Sequence, residues 1–459
     1  GNMYSIHTFL LQKELFRSPE PVKTTVVSSF TDTPALQQIA RQADSDYILF
    51  YTGTSPIELH PYAIGRMYQI AESNDGALFY SDYQEIRQGK KIHHPTLEYQ
   101  TGSIRNDFDF GQLLLFRNDS FQQVVAQMNT DYRFAALYEL RLSISRLGKI
   151  VHIPETLYTV QPTDLRLSGE KQFDYVDPAN REVQLEMEAV CTAHLQAIGA
   201  WLAPEFQRID FGQENFAREA SVIIPVRNRK RTIAEAVESA LQQQTDFSFN
   251  VIVVDNHSTD GTGQILTELS RRYPNLIHHI PASTELGIGG CWTEAILLPE
   301  CGKFAIQLDS DDLYKDCHVL QRIVDTFYQE NCAMVIGSYQ MVDFKLEEIP
   351  PGLIAHREWT PDNGRNNALR INGLGAPRAF YTPVLRQIKF PNVSYGEDYA
   401  TALAISRKYP IARIYDPLYL CRRWEENSDH DLDIQQLNNY NFYKDKIRTL
   451  EIQARISGK

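Results

Sequence analysis

The chain has 459 residues, 43% of them hydrophobic and 22% charged, proportions that suit a globular protein of two domains and exclude a disordered or fibrous one. Its formal net charge of −13 argues against nucleic-acid binding, which needs a basic face to neutralise phosphates. The six cysteines are scattered without a CxxC pair, which favours reduced thiols in a cytoplasmic protein over a disulfide framework or a zinc site.

In chain order, residues 1–165 carry a weak α/β pattern. No apolar run is long enough to span a bilayer, and the amino end lacks the basic-then-apolar layout of a signal peptide. A helical linker is expected over 166–217, because 180–202 (NREVQLEMEAVCTAHLQAIGAWL) has apolar residues at helical spacing. From 218 to 430 the pattern is stronger. SVIIPV at 221–226 reads as a buried strand, 232–243 as a helix with Thr232 at its N-cap, NVIVVD at 250–255 as a second strand, 262–273 as a helix and 304–308 as a third strand. That alternation predicts an α/β layer with a parallel sheet. A further strand is expected at 414–420. The tail, 431–459, reads as a polar helix with Leu432, Ile434, Leu437, Tyr440, Phe442 and Tyr443 near one face, suited to packing on either domain or on a second copy in a homodimer.

The two halves resemble each other. Residues 134–158 align without gaps on 395–419, with Tyr138/Tyr399, Ser145/Ser406, Arg146/Arg407, Ile150/Ile411 and Tyr158/Tyr419 among the identities. Residues 46–57 correspond to 303–314, and 106–116 to 371–381. Three matches in the same order predict an internal duplication. The repeat fails at the acids: Asp309 and Asp311 meet Thr52 and Thr54, while Glu397 and Asp398 meet Ala136 and Leu137.

Those acids carry the chemistry. In LDSDD (308–312), carboxylates two residues apart follow a buried strand. Ligands of open α/β sheets bind beyond the carboxyl ends of the strands, and two such groups can converge on one hard cation. An acidic turn with helix-capping Asp is the plainer reading of that motif alone. PVRN (225–228) and DNHSTDGT (255–262) bring polar loops to the same edge. Asp255 is expected to meet a base or ribose, with Ser258, Thr259 and Asp260 shaping the turn. NGLGAPR (372–378), with Gly373 and Gly375, permits close approach of a sugar or acceptor, although a plain turn reads nearly as well.

SVIIPVRNR, VIVVDNHSTDGT, LDSDD and GED together resemble the family 2 inverting glycosyltransferases of the GT-A fold over residues 220–423. The resemblance implies tandem GT-A (nucleotide-diphospho-sugar transferase, Rossmann-like) α/β domains, the first degenerate. It places Pro225, Val226 and Arg227 with Asp255 in the nucleotide pocket, and Asp309 with Ser310 at the ribose and sugar. Asp311, with Asp309 as its companion, would hold Mn²⁺ or Mg²⁺, and Asp398 would be the general base. Glu397, Gly373 and Gly375 would support the acceptor. Arg422 and Arg423 would meet the diphosphate. By the same resemblance His430 is a further metal ligand, against which stands the fact that a lone His is more often structural. The implied donor is a UDP- or GDP-sugar and the acceptor a glycan or lipid-linked hydroxyl, the latter bringing a cytoplasmic protein to the membrane. A QxxRW motif is absent, which argues against a processive synthase. A nucleotidyltransferase making an activated sugar, or a non-catalytic glycan- or nucleotide-binding protein, are the competing readings. The first would open with a Gly-rich phosphate loop where this chain has PVRNRKR, and the second would have no use for the acids.

Overall fold

A computed structural model describes residues 3–162, 180–427 and 432–459. They divide into two compact units, the first made of 3–162, 180–201 and 432–459, the second of 202–427. In the first, the strands are β1 (Ile6–Leu10), β2 (Phe16–Arg17), β3 (Lys23–Val26), β4 (Tyr47–Tyr51), β5 (Ile57–Leu59), β6 (Leu78–Arg87), β7 (Lys90–His94), β8 (Leu113–Arg117) and β9 (Ile150–Val160). Its helices are α1 (Thr33–Gln42), α2 (Ala63–Glu72), α3 (Asn118–Ala126), α4 (Ala136–Leu147) and α5 (Arg181–Ile198). In the second, β10 (Ala220–Val226), β11 (Phe249–Asp255), β12 (Leu276–His279), β13 (Phe304–Gln307), β14 (Leu313–Tyr314), β15 (Met334–Val342), β16 (Glu348–Ile354), β17 (Arg378–Tyr381) and β18 (Ile411–Arg422) form the sheet. Around it lie α6 (Ile233–Leu241), α7 (Thr262–Arg272), α8 (Ile288–Leu297), α9 (Val319–Glu330), α10 (Gly364–Asn367), α11 (Thr382–Ile388) and α12 (Glu397–Ser406). A last helix, α13 (Ile434–Ile456), returns to the first unit.

The strand orders coincide over seven strands. The first sheet runs β3-β1-β4-β8-β6-β9-β5-β2, with β7 on β6; the second runs β12-β11-β10-β13-β17-β15-β18-β14, with β16 on β15, so that β2 and β12 are the end strands without a counterpart. Each corresponding pair also has the same sense, parallel for β1/β4 and β10/β13, antiparallel for β4/β8 and β13/β17, parallel again for β6/β9 and β15/β18. Both sheets are therefore mixed, where the strand-helix alternation alone predicted a parallel one. Registers agree too: Leu78 pairs with Phe116 and Ile150, as Met334 pairs with Phe380 and Ile411. One sequence match is corrected. Phe116 stands at Phe380, not Tyr381, and a one-residue slip matters because it turns every side chain to the other face. The register of β4 against β8 keeps Thr52 at the position of Asp309 and Thr54 at that of Asp311.

The central strands are buried on both faces, which explains why ASVIIPV and FNVIVVD read as continuous apolar runs. Among the described residues the first unit has no counterpart of α6, α7 or β12. Its β3 leads directly to α1, whereas β11 reaches α8 only after the excursion through α7 and β12.

Two segments expected between or outside the domains belong to the first unit. The helix α5 is tied to α4 by Glu186, whose carboxylate accepts from the backbone N–H groups of Arg133, Phe134 and Ala135 at 2.9, 3.0 and 3.3 Å. The tail helix α13 docks by polar contacts in addition to the half-buried Leu432, Ile434, Leu437, Tyr440 and Tyr443 of the apolar face that its sequence offered. Asp445 accepts from Arg105, Ser103 and Arg448 at 3.1, 3.0 and 2.9 Å, and the Thr449 hydroxyl accepts from the Gly102 N–H at 2.8 Å. A side chain on Gly102 would come 2.2 Å from the Asp445 carbonyl oxygen, so only glycine allows this approach. Phe442 is left 44% exposed. Apolar periodicity did not register these contacts because they are made by charged and polar groups, several of them with residues far away in sequence.

Candidate functional site

The LDSDD loop follows β13 and is clamped from below by β18. The Tyr419 hydroxyl accepts from the Asp309 N–H at 3.0 Å and donates to Asp312 Oδ2 at 2.7 Å. The Arg422 N–H donates to Asp312 Oδ1 at 2.9 Å. Asp312, the third acid of the motif, is therefore the buried anchor; burial, then the Asp311 and Asp309 charges, hold its carboxyl well above the usual range. Asp309 is half-buried and accepts from the Gln307 amide at 3.0 Å. Burial raises its carboxyl and Arg378 opposes that rise, while Asp311 and Asp398 add to it. Asp311 is half-buried, and its Oδ2 accepts from the Trp424 indole N–H at 3.0 Å and the Asn427 amide at 3.2 Å. The Ser310 carbonyl accepts from the Thr232 hydroxyl at 3.0 Å. Thr232 does stand at the N-cap of α6, but its side chain braces the acidic loop and makes no capping bond.

These residues suit a hard cation. Asp309 and Asp311 supply oxygen donors, and Asp311 Oδ1 takes no hydrogen bond among the described residues. The mutual charge that raises Asp309 and Asp312 is what a divalent ion would relieve. No group of three His, Cys, Asp or Glu placed to hold a metal occurs among the described residues, so a ligand and water would complete the shell.

At the other side of the site, Gly396 has φ +80° and hands the chain into α12, whose first turn carries Glu397 and Asp398. Asp398 Oδ2 pairs with Arg378 at 3.2 Å. Arg378 donates to the Gly375 carbonyl at 2.8 Å, and its own N–H is received by the Gln307 side chain at 3.0 Å. Burial works against its charge, but Asp398, Asp309 and Glu397 raise its pKa. One guanidinium thus stands among the acids of both motifs. Gly375, at φ +107° with His356 3.0 Å from where a Cβ would lie, serves to present Arg378, and Gly373 is half-buried in the same loop.

Glu397 is 8% exposed, and its Oε2 has no hydrogen-bond partner among the described residues. Burial first, then the Asp398 charge, push its carboxyl up to about 8. The fold therefore keeps a proton on Glu397 that the unfolded chain releases near the ordinary carboxyl pKa. Stability falls as pH rises across that window and levels off above pH 8. Glu397→Gln is expected to flatten this slope and to add on the order of 2 kcal/mol at pH 8. Urea unfolding at pH 5 and pH 8 checks it, and an unchanged slope in the variant would refute the assignment.

On the nucleotide side, Pro225 and Val226 end β10, opposite Val254 and Asp255 of β11, and Arg227 is exposed just beyond them. Asp255 is 2% exposed; its Oδ1 accepts from the Ser258 N–H at 3.1 Å and its Oδ2 meets His278 Nε2 at 3.0 Å. Asp260 accepts from the Thr262 and Lys230 N–H groups, which joins the two polar loops. Arg422 departs from expectation. Its side chain is 1% exposed, and it donates to the Asp311 carbonyl at 2.6 Å and pairs with Glu235 at 3.3 Å. It secures the acidic loop from behind, because β18 runs beneath that loop. Arg423 is half-buried, and His430 lies outside the described residues.

In the first unit the corresponding elements make other contacts. The N-terminus of α4, equivalent to that of α12, is stoppered by Glu186. Tyr158, the counterpart of Tyr419, accepts from the Gln112 N–H at 2.8 Å. Sequence reasoning missed Arg378, His278, Asp312, Trp424 and Asn427. All five are ordinary residue types that acquire meaning only through partners 20 to 116 positions away.

Fold and site together define a mixed α/β domain whose carboxylates gather around one arginine at the carboxyl edge of the sheet. Residues 221–388 match the model of glycosyl transferase family 2, and the second unit carries a domain of that family. An uncharacterized glycosyltransferase of Nostoc sp. is 32% identical over 123 residues, 27% of this chain and 37% of that protein. A poly(ribitol-phosphate) beta-glucosyltransferase of Bacillus spizizenii is 24% identical over 230 residues, 49% of this chain and 35% of that protein. The putative teichuronic acid biosynthesis glycosyltransferase TuaG of Bacillus subtilis is 26% identical over 195 residues, 42% and 74% of the two chains. This chain thus spans about a third of the length of the first two of these relatives. Among solved structures, S. aureus TarS 1–349 in complex with UDP-GlcNAc gives a TM-score of 0.39 at 22% identity over 52% of this chain and 72% of that one. The mannosyltransferase PcManGT of Pyrobaculum calidifontis, in complex with GDP-Man and Mn²⁺, gives 0.36 at 16% identity over 61% and 86%. Scores this low carry no detailed comparison. No helix among the described residues is long and apolar enough to cross a membrane.

Proposed function

We propose that the second unit transfers a sugar from a UDP- or GDP-sugar to an acceptor hydroxyl with inversion. The observation that carries this reading is the convergence of Asp309 and Asp398, from separate motifs, on Arg378. Asp255, steadied by His278, fixes the nucleoside end; Pro225, Val226 and Arg227 line the same edge. Asp309 and Asp311 would hold Mn²⁺ or Mg²⁺, which when bound offsets the charge developing on the leaving diphosphate. Asp398 takes the proton of the acceptor hydroxyl as its oxygen forms the new bond to the anomeric carbon. The bond to the nucleotide breaks on the opposite face, and the nucleoside diphosphate leaves with the electron pair. Arg378 keeps Asp398 oriented through this step. Glu397, uncharged beside it, avoids a second negative charge where the acceptor must enter.

The names of the Bacillus relatives support an anionic cell-surface polymer as the acceptor, met at the cytoplasmic face of the membrane. The first unit serves as a scaffold or acceptor platform, since it carries Thr52 and Thr54 after β4 and Leu137 in α4 where the second carries acids. Thermal-shift screening against UDP, GDP and their sugars, with and without Mn²⁺, tests the proposal. One nucleotide should stabilise the protein by about 2.7 kcal/mol at a hundredfold excess over Kd, with Mn²⁺ supplying most of the affinity. No shift with any of them would sink it.

A further inference from the structure

The segment after β18 closes over Asp311 in a way that the transfer reaction does not by itself explain. The Trp424 indole N–H and the Asn427 amide both donate to Asp311 Oδ2, at 3.0 and 3.2 Å. The Asn427 amide is fixed in turn, because its oxygen accepts from the Trp424 N–H at 2.7 Å and its nitrogen also reaches the Arg422 carbonyl at 3.3 Å. The indole is 7% exposed and held on its faces and edge: Phe344 lies 5.2 Å away edge-on, and the guanidinium groups of Arg231 and Arg229 stand 5.4 and 5.7 Å from the ring. Arg229 ties the same turn to the PVRNR loop by donating to the Glu426 carbonyl at 3.1 Å. Two neutral donors on one oxygen set the rotation of the carboxylate. They leave Oδ1 as the atom without a hydrogen bond among the described residues.

We infer that Trp424 and Asn427 are positioning residues that lock Asp311 Oδ2 and thereby aim Oδ1 at a divalent cation. The inference rests on the metal role proposed above for Asp311. Neutral donors suit this task, since a cationic partner would compete with the metal for the carboxylate charge. Outer hydrogen bonds of this kind orient a ligand before the metal arrives, so the metal does not have to pay for ordering it.

The test uses the full chain with Trp424→Phe, which removes the N–H and keeps the ring for Phe344 and Arg231, and with Asn427→Ala. Mn²⁺ affinity is read directly from the EPR signal of the free ion, and UDP and GDP affinities are measured without metal. Each variant should bind Mn²⁺ about tenfold more weakly. The double variant should lose little more than either single one, because both bonds end on the same oxygen. Metal-free nucleotide affinity should stay as in the parent, and the melting temperature should fall only by the few degrees that the loss of a hydrogen bond worth about 1 kcal/mol brings. Unchanged Mn²⁺ affinity in both variants, with binding abolished in Asp311→Ala, would overturn the inference and leave the metal role standing. Mn²⁺ binding that survives Asp311→Ala would overturn both. A parallel loss of metal-free nucleotide affinity would also overturn it, by showing general damage to the loop.

Discussion

Asp398→Asn is expected to lower kcat for sugar transfer by about 10³-fold while donor affinity stays as in the parent. Asparagine keeps the size of the side chain and one oxygen for Arg378, so the first turn of α12 is retained, but it cannot take up a proton. The loss should therefore fall on the chemical step and not on KM for the nucleotide sugar, whose proposed place is on the β10 and β13 side of the sheet. Removing the Asp398 charge also removes one of the causes that hold Glu397 protonated. Residual activity that rises with pH in Asp398→Asn, and vanishes in the double variant with Glu397→Gln, would mark Glu397 as a weak substitute base. Full transfer by Asp398→Asn would end the assignment of Asp398.

Asp311→Ala should abolish Mn²⁺-dependent stabilisation by the donor nucleotide, a loss of about 2.7 kcal/mol at a hundredfold excess over Kd. The apo protein should melt no earlier than the parent. Asp311 stands beside Asp309 and Asp312 and its charge raises both carboxyls, so its removal relieves repulsion inside the site. The two lost hydrogen bonds to Trp424 and Asn427 work in the opposite direction, each worth about 1 kcal/mol. Function and stability thus separate at this residue, and thermal melts with and without Mn²⁺ and nucleotide read both. Undiminished Mn²⁺-dependent stabilisation would remove Asp311 from the site.

Much of the second unit was legible because its signals are local. SVIIPV, NVIVVD and the apolar segment before LDSDD are continuous runs, as strands covered on both faces must be, and their loops fall at one edge by the geometry of a parallel βαβ arrangement. The first unit was legible only by comparison, through the alignment of 134–158 with 395–419; the strand registers then corrected the 106–116 match by one residue. The burial of Arg422 was not legible, because nothing local in the sequence shows β18 passing under the LDSDD loop. The tail was read as a helix packing on a domain, but its buried charged residues Lys444, Asp445, Arg448 and Glu451 were not legible, because apolar periodicity does not register them.

The sequence by itself determined which residue types stand at the sheet edge, carboxylates in the second half and Thr52, Thr54, Ala136 and Leu137 in the first. Period and burial fix strands and turns over a few residues, so an acid at a strand end can be read directly. Only the tertiary structure decided what those acids do to one another: Arg378 reaching Asp398, His278 holding Asp255, Trp424 and Asn427 sharing one oxygen of Asp311, and Glu397 left uncharged beside its neighbour. Charge state and orientation depend on which groups share a desolvated space, and that is set by contacts between segments far apart in the chain.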